Sequence, residues 1–315
     1  MKHHVIIGIP RWFIINRPPQ NVKCLSIDIL KSHGCVFLPF PAKCARKRST
    51  ITCNYENLKD HEKLSETLFN KYGGLLKYIA IHTEYEAPIW FDKEFVERYI
   101  EATLNLANLA LRMCKALKVI EIELHPGFSS YQGGRRPWNP IIEGMVNYIS
   151  YINEHLNRYG IKLKVTVENR GSSSLSKPQA AARLDELINF RTALEHELRR
   201  KHIDIEAGLT IDPLQLLSLK LSLKDIQDNI EHLVKEHGQL VHSIHIHWIS
   251  GKGKRHCPPP PEDFDRIIKW FKKIINYVID LKGKPYVVPE IVPYYLGRKE
   301  TLKLLKNLQM LSKSM

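Results

Sequence analysis

The stretch VIEIELHPG, residues 119–127, decides the fold because it reads as a β-strand that ends on a potential metal ligand. Its β-branched residues predict a buried strand, and His125 stands at the end of that strand. Seven other segments have the same strand-like character, and five of them also end on a histidine or a carboxylate. The predicted strands span residues 4–9, 34–39, 77–82, 119–125, 162–168, 207–212, 241–248 and 285–291.

Amphipathic segments separate these strands. In the clearest one, Val96, Ile100 and Leu104 recur at helical spacing. The predicted helices span residues 92–117, 140–158, 178–200, 223–236 and 263–281. The alternation of strands with crossovers of this length predicts an α/β fold, a single (β/α)8 TIM barrel over residues 1–315 with long loops at its C-terminal face.

Composition limits the class of protein. The chain has 315 residues, of which 43% are hydrophobic and 25% are charged, and both values are ordinary for a globular protein. No apolar run reaches the roughly 18 residues that a membrane-spanning helix needs. The first strand is shorter than the about 7–15 apolar residues of a secretory signal. We therefore expect a cytoplasmic protein without membrane contact.

Cysteine spacing disfavours one kind of metal site. The six cysteines include no Cys-x-x-Cys pair, so a thiolate zinc site is not expected. Cys44 and Cys53 flank one predicted loop, and whether they form a disulfide is left open, as is the oligomeric state.

The strand ends favour a metal centre because parallel strands of a barrel present their carboxyl ends at one rim. A single histidine at a strand end is more often a hydrogen-bonded core residue than a ligand, but several such ends together favour metal binding. The mixture of imidazoles and carboxylates suits Zn²⁺ or Mn²⁺. The candidate ligands are His82, His125, Glu168, Asp212, His245 and Glu290, with His247 as an alternative to His245.

Two further carboxylates complicate this pattern. Glu121 and Glu123 share strand parity with His125, which would direct them towards the barrel interior. Lys164 lies on the neighbouring predicted strand with suitable parity. We interpret this group as a buried ion pair.

Several short motifs resemble the endonuclease IV family of abasic-site nucleases, the AP endonuclease family 2, within the xylose-isomerase-like TIM-barrel superfamily. The matching motifs are IHTEY (81–85), ELHPG (123–127), VEN (167–169), LTID (209–212) and PEIVP (289–293). They are scattered over most of the chain. The resemblance implies a metal-dependent nuclease.

The same resemblance implies a ligand set for each ion. One ion would be bound by His82, His125 and Glu168. The second would be bound by Glu168, Asp212, His245 and Glu290. Glu168 would then bridge the two ions and be the central catalytic residue.

Whether this chain binds the third metal ion of that family is left open. The histidine expected three residues after Asp212 is Gln215 here, and the expected Asp-x-His on the next loop is Lys254-Arg255-His256. Of those ligands His256 remains, and His247 is a candidate replacement. The resemblance thus implies two divalent ions, with a third as an alternative.

The predicted rim loops combine basic and aromatic residues, and the chain has a formal net charge of +14. Cations neutralise phosphates and rings stack on bases, so we expect DNA as a partner. The alternative is that the charges are solvated and that aromatics such as Trp90 cap the barrel mouth. The predicted substrate-binding residues are Tyr85, Arg135, Arg136, Lys252, Lys254, Arg255 and Trp248.

The leading hypothesis is a metal-dependent phosphodiesterase, an endonuclease that acts on damaged, abasic or similar DNA through a two-metal hydroxide mechanism. One alternative is a single-metal sugar isomerase or epimerase of the same barrel superfamily. Another is a nucleic-acid-binding barrel that has lost catalysis. His82 and His125 discriminate between the first two, because a single-metal enzyme needs neither as a ligand.

Overall fold

The structure is a computed structural model. It describes residues 5–313 except residues 16, 40–42, 48–49, 55–57, 84–89, 128–137, 170–180, 182, 220, 250–255 and 281–284. For residues 43–47, 50–54, 58–59 and 61 it describes the backbone alone.

Strands and helices alternate along the described chain, apart from the successive strands β1 and β2 and one hairpin. The strands are β1 (Ile6–Ile7), β2 (Ile9–Pro10), β3 (Cys35–Pro39), β4 (Lys43–Lys47), β5 (Thr50–Asn54), β6 (Tyr78–His82), β7 (Val119–Leu124), β8 (Lys162–Glu168), β9 (Ala207–Ile211), β10 (Val241–Ile246) and β11 (Tyr286–Pro289). The helices are α1 (Gln20–His33), α2 (Leu58–Tyr72), α3 (Lys93–Met113), α4 (Asn139–Asn157), α5 (Leu184–Arg200), α6 (Leu223–His237), α7 (Phe264–Asp280) and α8 (Lys299–Lys313). This is the α/β TIM-barrel fold, and the predicted fold class is confirmed.

The chain divides into two compact units, each described by itself. The terminal unit comprises Met1–Phe37 and Thr210–Met315, and the central unit comprises Leu38–Leu209. Both boundaries fall inside a strand, one in β3 and the other in β9. The single domain over residues 1–315 stays a prediction.

In the central unit, β6, β7 and β8 are parallel neighbours. His82 of β6 lies opposite Glu123 of β7, and Glu123 lies opposite Thr166 of β8. Helix α3 follows β6 and begins where the Asp92 side chain accepts a hydrogen bond from the Phe95 N–H at 3.0 Å. This N-cap satisfies a backbone donor that the helix itself leaves free.

A second, small sheet lies at the predicted loop that Cys44 and Cys53 flank. Strands β4 and β5 pair antiparallel there, with Cys44 opposite Cys53 in the backbone register. The sequence did not predict this hairpin because its basic residues and prolines show no clear alternation of apolar and polar positions.

In the terminal unit, β11 pairs in parallel with both β1 and β10. The predicted first strand, residues 4–9, is two short strands separated by Gly8. A Cβ atom at Gly8 would lie 1.9 Å from the Tyr286 ring, so this close approach of the ring requires glycine. Within the described residues, no helix is long and apolar enough to cross a membrane.

Candidate metal centre

Three predicted ligands meet at the carboxyl ends of β6, β7 and β8 in the central unit. His82 and Glu168 are the last residues of β6 and β8, and His125 directly follows β7. All three side chains are buried, with exposed fractions of 7% for His82 and 1% for both His125 and Glu168. Adjacent parallel strands therefore deliver three residues to one place, although they lie more than 40 positions apart in sequence.

Their ligand atoms face one another. The Oε2 atom of Glu168 lies 2.9 Å from Nε2 of His82 and 3.4 Å from Nε2 of His125. The two imidazole Nε2 atoms are 3.2 Å apart. Donor atoms about 2.0–2.1 Å from a tetrahedral zinc ion lie roughly 3.3 Å from one another, so this set fits a metal ion.

The backbone around His125 is held by three features. Its N–H donates to Oγ1 of Thr83 at 3.2 Å, and its carbonyl oxygen accepts from Nε1 of Trp90 at 2.7 Å. Gly127, two residues further on, has φ 75°, a backbone conformation that favours glycine. The HPG motif thus turns the chain sharply after the ligand and keeps the imidazole directed at Glu168.

Trp90 is a structural support of this site. It is 1% exposed and packs against Phe95, Tyr99 and Tyr148 with ring centroids 5.4–5.8 Å apart. A Cβ atom on Gly144 of α4 would lie 1.7 Å from the carbonyl oxygen of Trp90. Trp90 is therefore a buried residue and is not available to stack on bases.

The acidic residues of β7 also differ from the prediction. The hydroxyl of Tyr78 donates to Oε2 of Glu121. The ammonium of Lys164 lies 5.6 Å from the Tyr78 ring centroid, and no carboxylate of the described residues lies within 4.0 Å of it. The predicted ion pair with Lys164 is therefore wrong.

Glu123 is a ligand candidate that sequence reasoning assigned to the ion pair. It is fully buried, and it offers an oxygen within 4.8 Å of the ligand atoms of His82 and Glu168. Its shared parity with His125 was the signal that could have identified it. The two carboxylates of Glu123 and Glu168 would balance the charge of a divalent cation bound with His82 and His125.

The terminal unit holds the other predicted ligands. Asp212 directly follows β9, His245 and His247 stand at the end of β10, and Glu290 directly follows β11. Asp212, His245 and His247 are fully buried. His256 lies on the segment after β10, where its backbone adopts a positive φ of 56°.

These residues form two overlapping groups around Glu290. Its Oε2 atom lies 3.3 Å from Nδ1 of His245 and 3.3 Å from Nδ1 of His256. The ligand atoms of Asp212, His245 and Glu290 lie within 4.8 Å of one another, as do those of His247, His256 and Glu290. Burial alone would raise the pKa of Glu290, but His256 and His245 lower that pKa well below its ordinary value.

Both histidines at the end of β10 belong to such a group, and which of them binds a metal stays a prediction. His247 places Nε2 2.8 Å from Oδ2 of Asp212, and its ring lies 4.4 Å from that of His256. The other oxygen of Asp212 accepts from the backbone N–H groups of Leu214 and Gln215 at 2.9 and 3.3 Å. Gln215, at the position where the third-ion histidine was expected, thus orients Asp212 through its backbone.

A buried arginine is a second residue that sequence reasoning missed. Arg11 directly follows β2 and is 3% exposed. Burial lowers its pKa to about 10. Its position after a strand was the available signal, but a single arginine at a loop start is common.

Most of the predicted substrate-binding residues lie outside the described residues. These are Tyr85, Arg135, Arg136, Lys252, Lys254 and Arg255. Trp248 is described: it is half-buried, and its backbone pairs with that of Cys257. The binding of substrate by these residues stays a prediction, as does the bridging role of Glu168, which joins ligands of both units.

No protein-family model matches the sequence, and the search for curated relatives finds none. Similar solved structures do exist. The AP endonuclease, family 2, from Brucella melitensis has a TM-score of 0.53 and 11% identity, over 94% of this chain and 95% of that one. A D-allulose 3-epimerase from Methylomonas sp. in complex with D-allulose has a TM-score of 0.57 and 10% identity, over 99% and 98%.

A xylose isomerase domain protein from Alicyclobacillus acidocaldarius has a TM-score of 0.51 and 15% identity, over 98% of this chain and 99% of that one. At these identities the likeness shows the fold alone. The likeness agrees with the predicted TIM-barrel fold, and the family resemblance seen in the sequence stays a prediction.

Proposed function

We propose that this chain is a metal-dependent phosphodiesterase that nicks DNA at abasic or otherwise damaged sites. The observation that supports this best is the contact of Oε2 of Glu168 with Nε2 of both His82 and His125. These three residues make a complete ligand set for one ion within the central unit. The terminal unit offers a second set, Asp212, His245 and Glu290.

Two ligand sets favour phosphodiester hydrolysis over sugar isomerisation. A single-metal isomerase would use the set around Glu290, and it would not need a second, buried pair of histidines. Bound divalent ions would polarise the phosphodiester, lower the pKa of water and stabilise the leaving oxygen. Here the chain supplies neutral imidazole and carboxylate donors at fixed positions, because the backbone of His125 is anchored by Thr83 and Trp90.

The charge of the chain favours a polyanionic substrate. The chain has 47 lysines and arginines against 33 acidic residues, so its field attracts a polyanion and not a neutral sugar. The AP endonuclease from Brucella melitensis shares the fold, which is compatible with this proposal. The predicted substrate-binding residues Arg135, Arg136, Lys252, Lys254 and Arg255 would contact the phosphate backbone.

A sugar epimerase is the second candidate, and one observation favours it. Asp212, His245 and Glu290 form a compact ligand group that could hold a single ion by itself. The epimerase from Methylomonas sp. has the same fold and binds D-allulose in its structure. In that case His82 and His125 would be dispensable for turnover.

The test compares two activities in one set of variants. The metal-loaded protein is incubated with abasic, ultraviolet-damaged and intact duplexes, and separately with D-allulose. We expect nicking of a damaged duplex, and we expect the double variant His82→Ala/His125→Ala to lose it by at least about 100-fold. His232→Ala removes an exposed histidine of α6 and is the matched control, which should nick like the wild type.

Circular dichroism would check that each variant is folded. Absence of nicking on every duplex, with epimerisation of the sugar retained in the double variant, would replace the proposal with the epimerase. Absence of both activities and of bound metal would favour a nucleic-acid-binding protein without catalysis.

A further inference from the structure

A groove of about 610 Å³ runs between α6 and α7 in the terminal unit. Its volume falls within the range of ligand-binding clefts. Leu223 and Lys224 line it from the start of α6, and Trp248 lines it from the segment after β10. Along α7 its wall extends from Arg266 to Asp280.

Positive charge dominates the rim of the groove. Lys224, Lys269 and Lys273 are exposed, and no carboxylate of the described chain lies within 4.0 Å of their ammonium groups. Arg266 pairs with Asp263 at 2.9 Å, and Asp280 at the far end is the only acidic residue among those lining the groove. Lys224 and Lys269 are therefore available to an anionic ligand, whereas Lys273 already interacts with Tyr277 and with Glu231.

Aromatic rings alternate with these cations. On α7, Arg266, Trp270, Lys273 and Tyr277 recur every three or four residues, which places them on one helical face. The ring of Tyr277 is oriented by its hydroxyl, which donates to Glu231 at 2.9 Å, and the Lys273 ammonium lies 5.3 Å from its centroid. The half-buried Trp270 packs against Phe271 with centroids 4.8 Å apart. The rings are thus fixed in place before a ligand arrives.

We infer that this groove binds a single-stranded segment of nucleic acid. In such a strand phosphates alternate with flat bases, and the groove alternates cations with flat rings along about 16 Å of α7, at 1.5 Å per residue. A duplex conceals its base faces, so it could use the lysines but not the rings. An acidic peptide would likewise leave Trp270 and Tyr277 without a stacking partner.

One residue of the groove is a sequence neighbour of a ligand candidate of the terminal unit. Trp248, which lines the groove, directly follows His247, whose Nε2 contacts Asp212 at 2.8 Å. The inference depends on the groove and does not require the phosphodiesterase activity.

The experiment measures binding of a fluorescein-labelled oligothymidylate with phosphorothioate linkages, which resist cleavage, to the metal-loaded protein. We expect Lys269→Ala/Lys273→Ala to raise Kd at least about tenfold and to reduce the slope of log K against log salt by roughly 1.4, since each lost phosphate contact contributes roughly 0.7. We expect Trp270→Leu to raise Kd about 5- to 150-fold, the range of one lost base stack. The matched control Lys299→Ala/Lys306→Ala removes two exposed lysines of α8 and should bind like the wild type.

Competition identifies the ligand class. Unlabelled single strand should displace the probe at lower concentration than either a duplex of the same sequence or poly-glutamate. Equal competition by poly-glutamate, or unchanged Kd in both groove variants, would overturn the inference. His82→Ala/His125→Ala should still bind the strand, so loss of nicking in that variant tests the proposed function separately.

Discussion

The indole Nε1 of Trp90 donates a hydrogen bond to the backbone carbonyl oxygen of His125 at 2.7 Å, and this contact joins a buried aromatic cluster to a metal-ligand candidate. Trp90 is itself confined by Gly144 of α4, where a side chain would meet the Trp90 carbonyl. The position of the imidazole therefore depends on helix packing as well as on its own strand. Two predictions test this dependence.

Removing the indole N–H should weaken both folding and metal binding. Trp90→Phe keeps an aromatic ring but leaves the His125 carbonyl without this donor, at a cost of about 1–3 kcal/mol in the free energy of unfolding. Loss of a partner that orients a ligand should lower zinc affinity about 10- to 100-fold, measured by competition with a chromophoric chelator. Trp138→Phe is the matched control because Trp138 packs against Phe190, away from the ligands. Equal zinc affinity in both variants would contradict the role given to Trp90.

Filling the space at Gly144 should disturb the same support. The Cβ atom of Gly144→Ala would lie 1.7 Å from backbone, which cannot move aside as a flexible side chain can. We expect a loss of about 1–3 kcal/mol in the free energy of unfolding, measured in urea. Gly74→Ala is the control, since nothing lies within 4 Å of its added Cβ atom. A Gly144→Ala protein as stable as Gly74→Ala would show that α4 does not confine Trp90.

Neutralising Asp212 should remove one ion and leave the fold intact. Asp212→Asn retains an oxygen for the N–H groups of Leu214 and Gln215, but it loses the charge that faces His247. The bound metal should fall by about one ion per chain with little change in the unfolding midpoint of the metal-free protein. Asp228→Asn alters an exposed residue of α6 and should keep the full metal content.

Chelation should destabilise the protein through the ligand sets. A metal that binds the folded state raises the free energy of unfolding, by about 4.1 kcal/mol at a thousandfold excess over Kd. Removing metal with 1,10-phenanthroline should therefore lower the melting temperature of the wild type markedly. It should lower that of His82→Ala/His125→Ala less, because one set has already been lost. An identical decrease in both proteins would argue against metal binding by these histidines.

Burial of Cys114 predicts a loss of stability in alkali. Burial raises the pKa of its thiol from 9.0 to about 12. Between these values the unfolded chain releases the proton more readily, so the free energy of unfolding should fall as pH rises above about 9. Cys114→Ala should show a smaller loss between pH 8 and pH 10.5 in urea titrations, whereas Cys24→Ala, at an exposed cysteine, should follow the wild type. Parallel curves for all three proteins would contradict the assignment.

Strand ends were the part of the site that the sequence could predict. A strand has a fixed side-chain period and a visible end, so His82, His125 and Glu168 could be placed on neighbouring strands from their local pattern alone. Their contacts within the central unit agree with that reasoning. The same logic placed Asp212 and Glu290 next to the histidines of β10.

The supports of the site could not be predicted in this way. The bond from Trp90 to His125 depends on the approach of α4 at Gly144, and the partner of Glu121 is Tyr78 and not Lys164. Three-dimensional packing decides which of several nearby residues become partners. It produces no regular residue spacing from which those partners could be predicted. The groove between α6 and α7 was missed for the same reason.

The most direct test of the central claim is the metal content of the wild type and of His82→Ala/His125→Ala, measured by mass spectrometry after zinc loading and desalting. Two separate ligand sets predict at least two ions per chain in the wild type and one fewer in the double variant, with His232→Ala unchanged. A wild type with no tightly bound ion, or a double variant with the same content as the wild type, would contradict the claim that His82, His125 and Glu168 form a metal site.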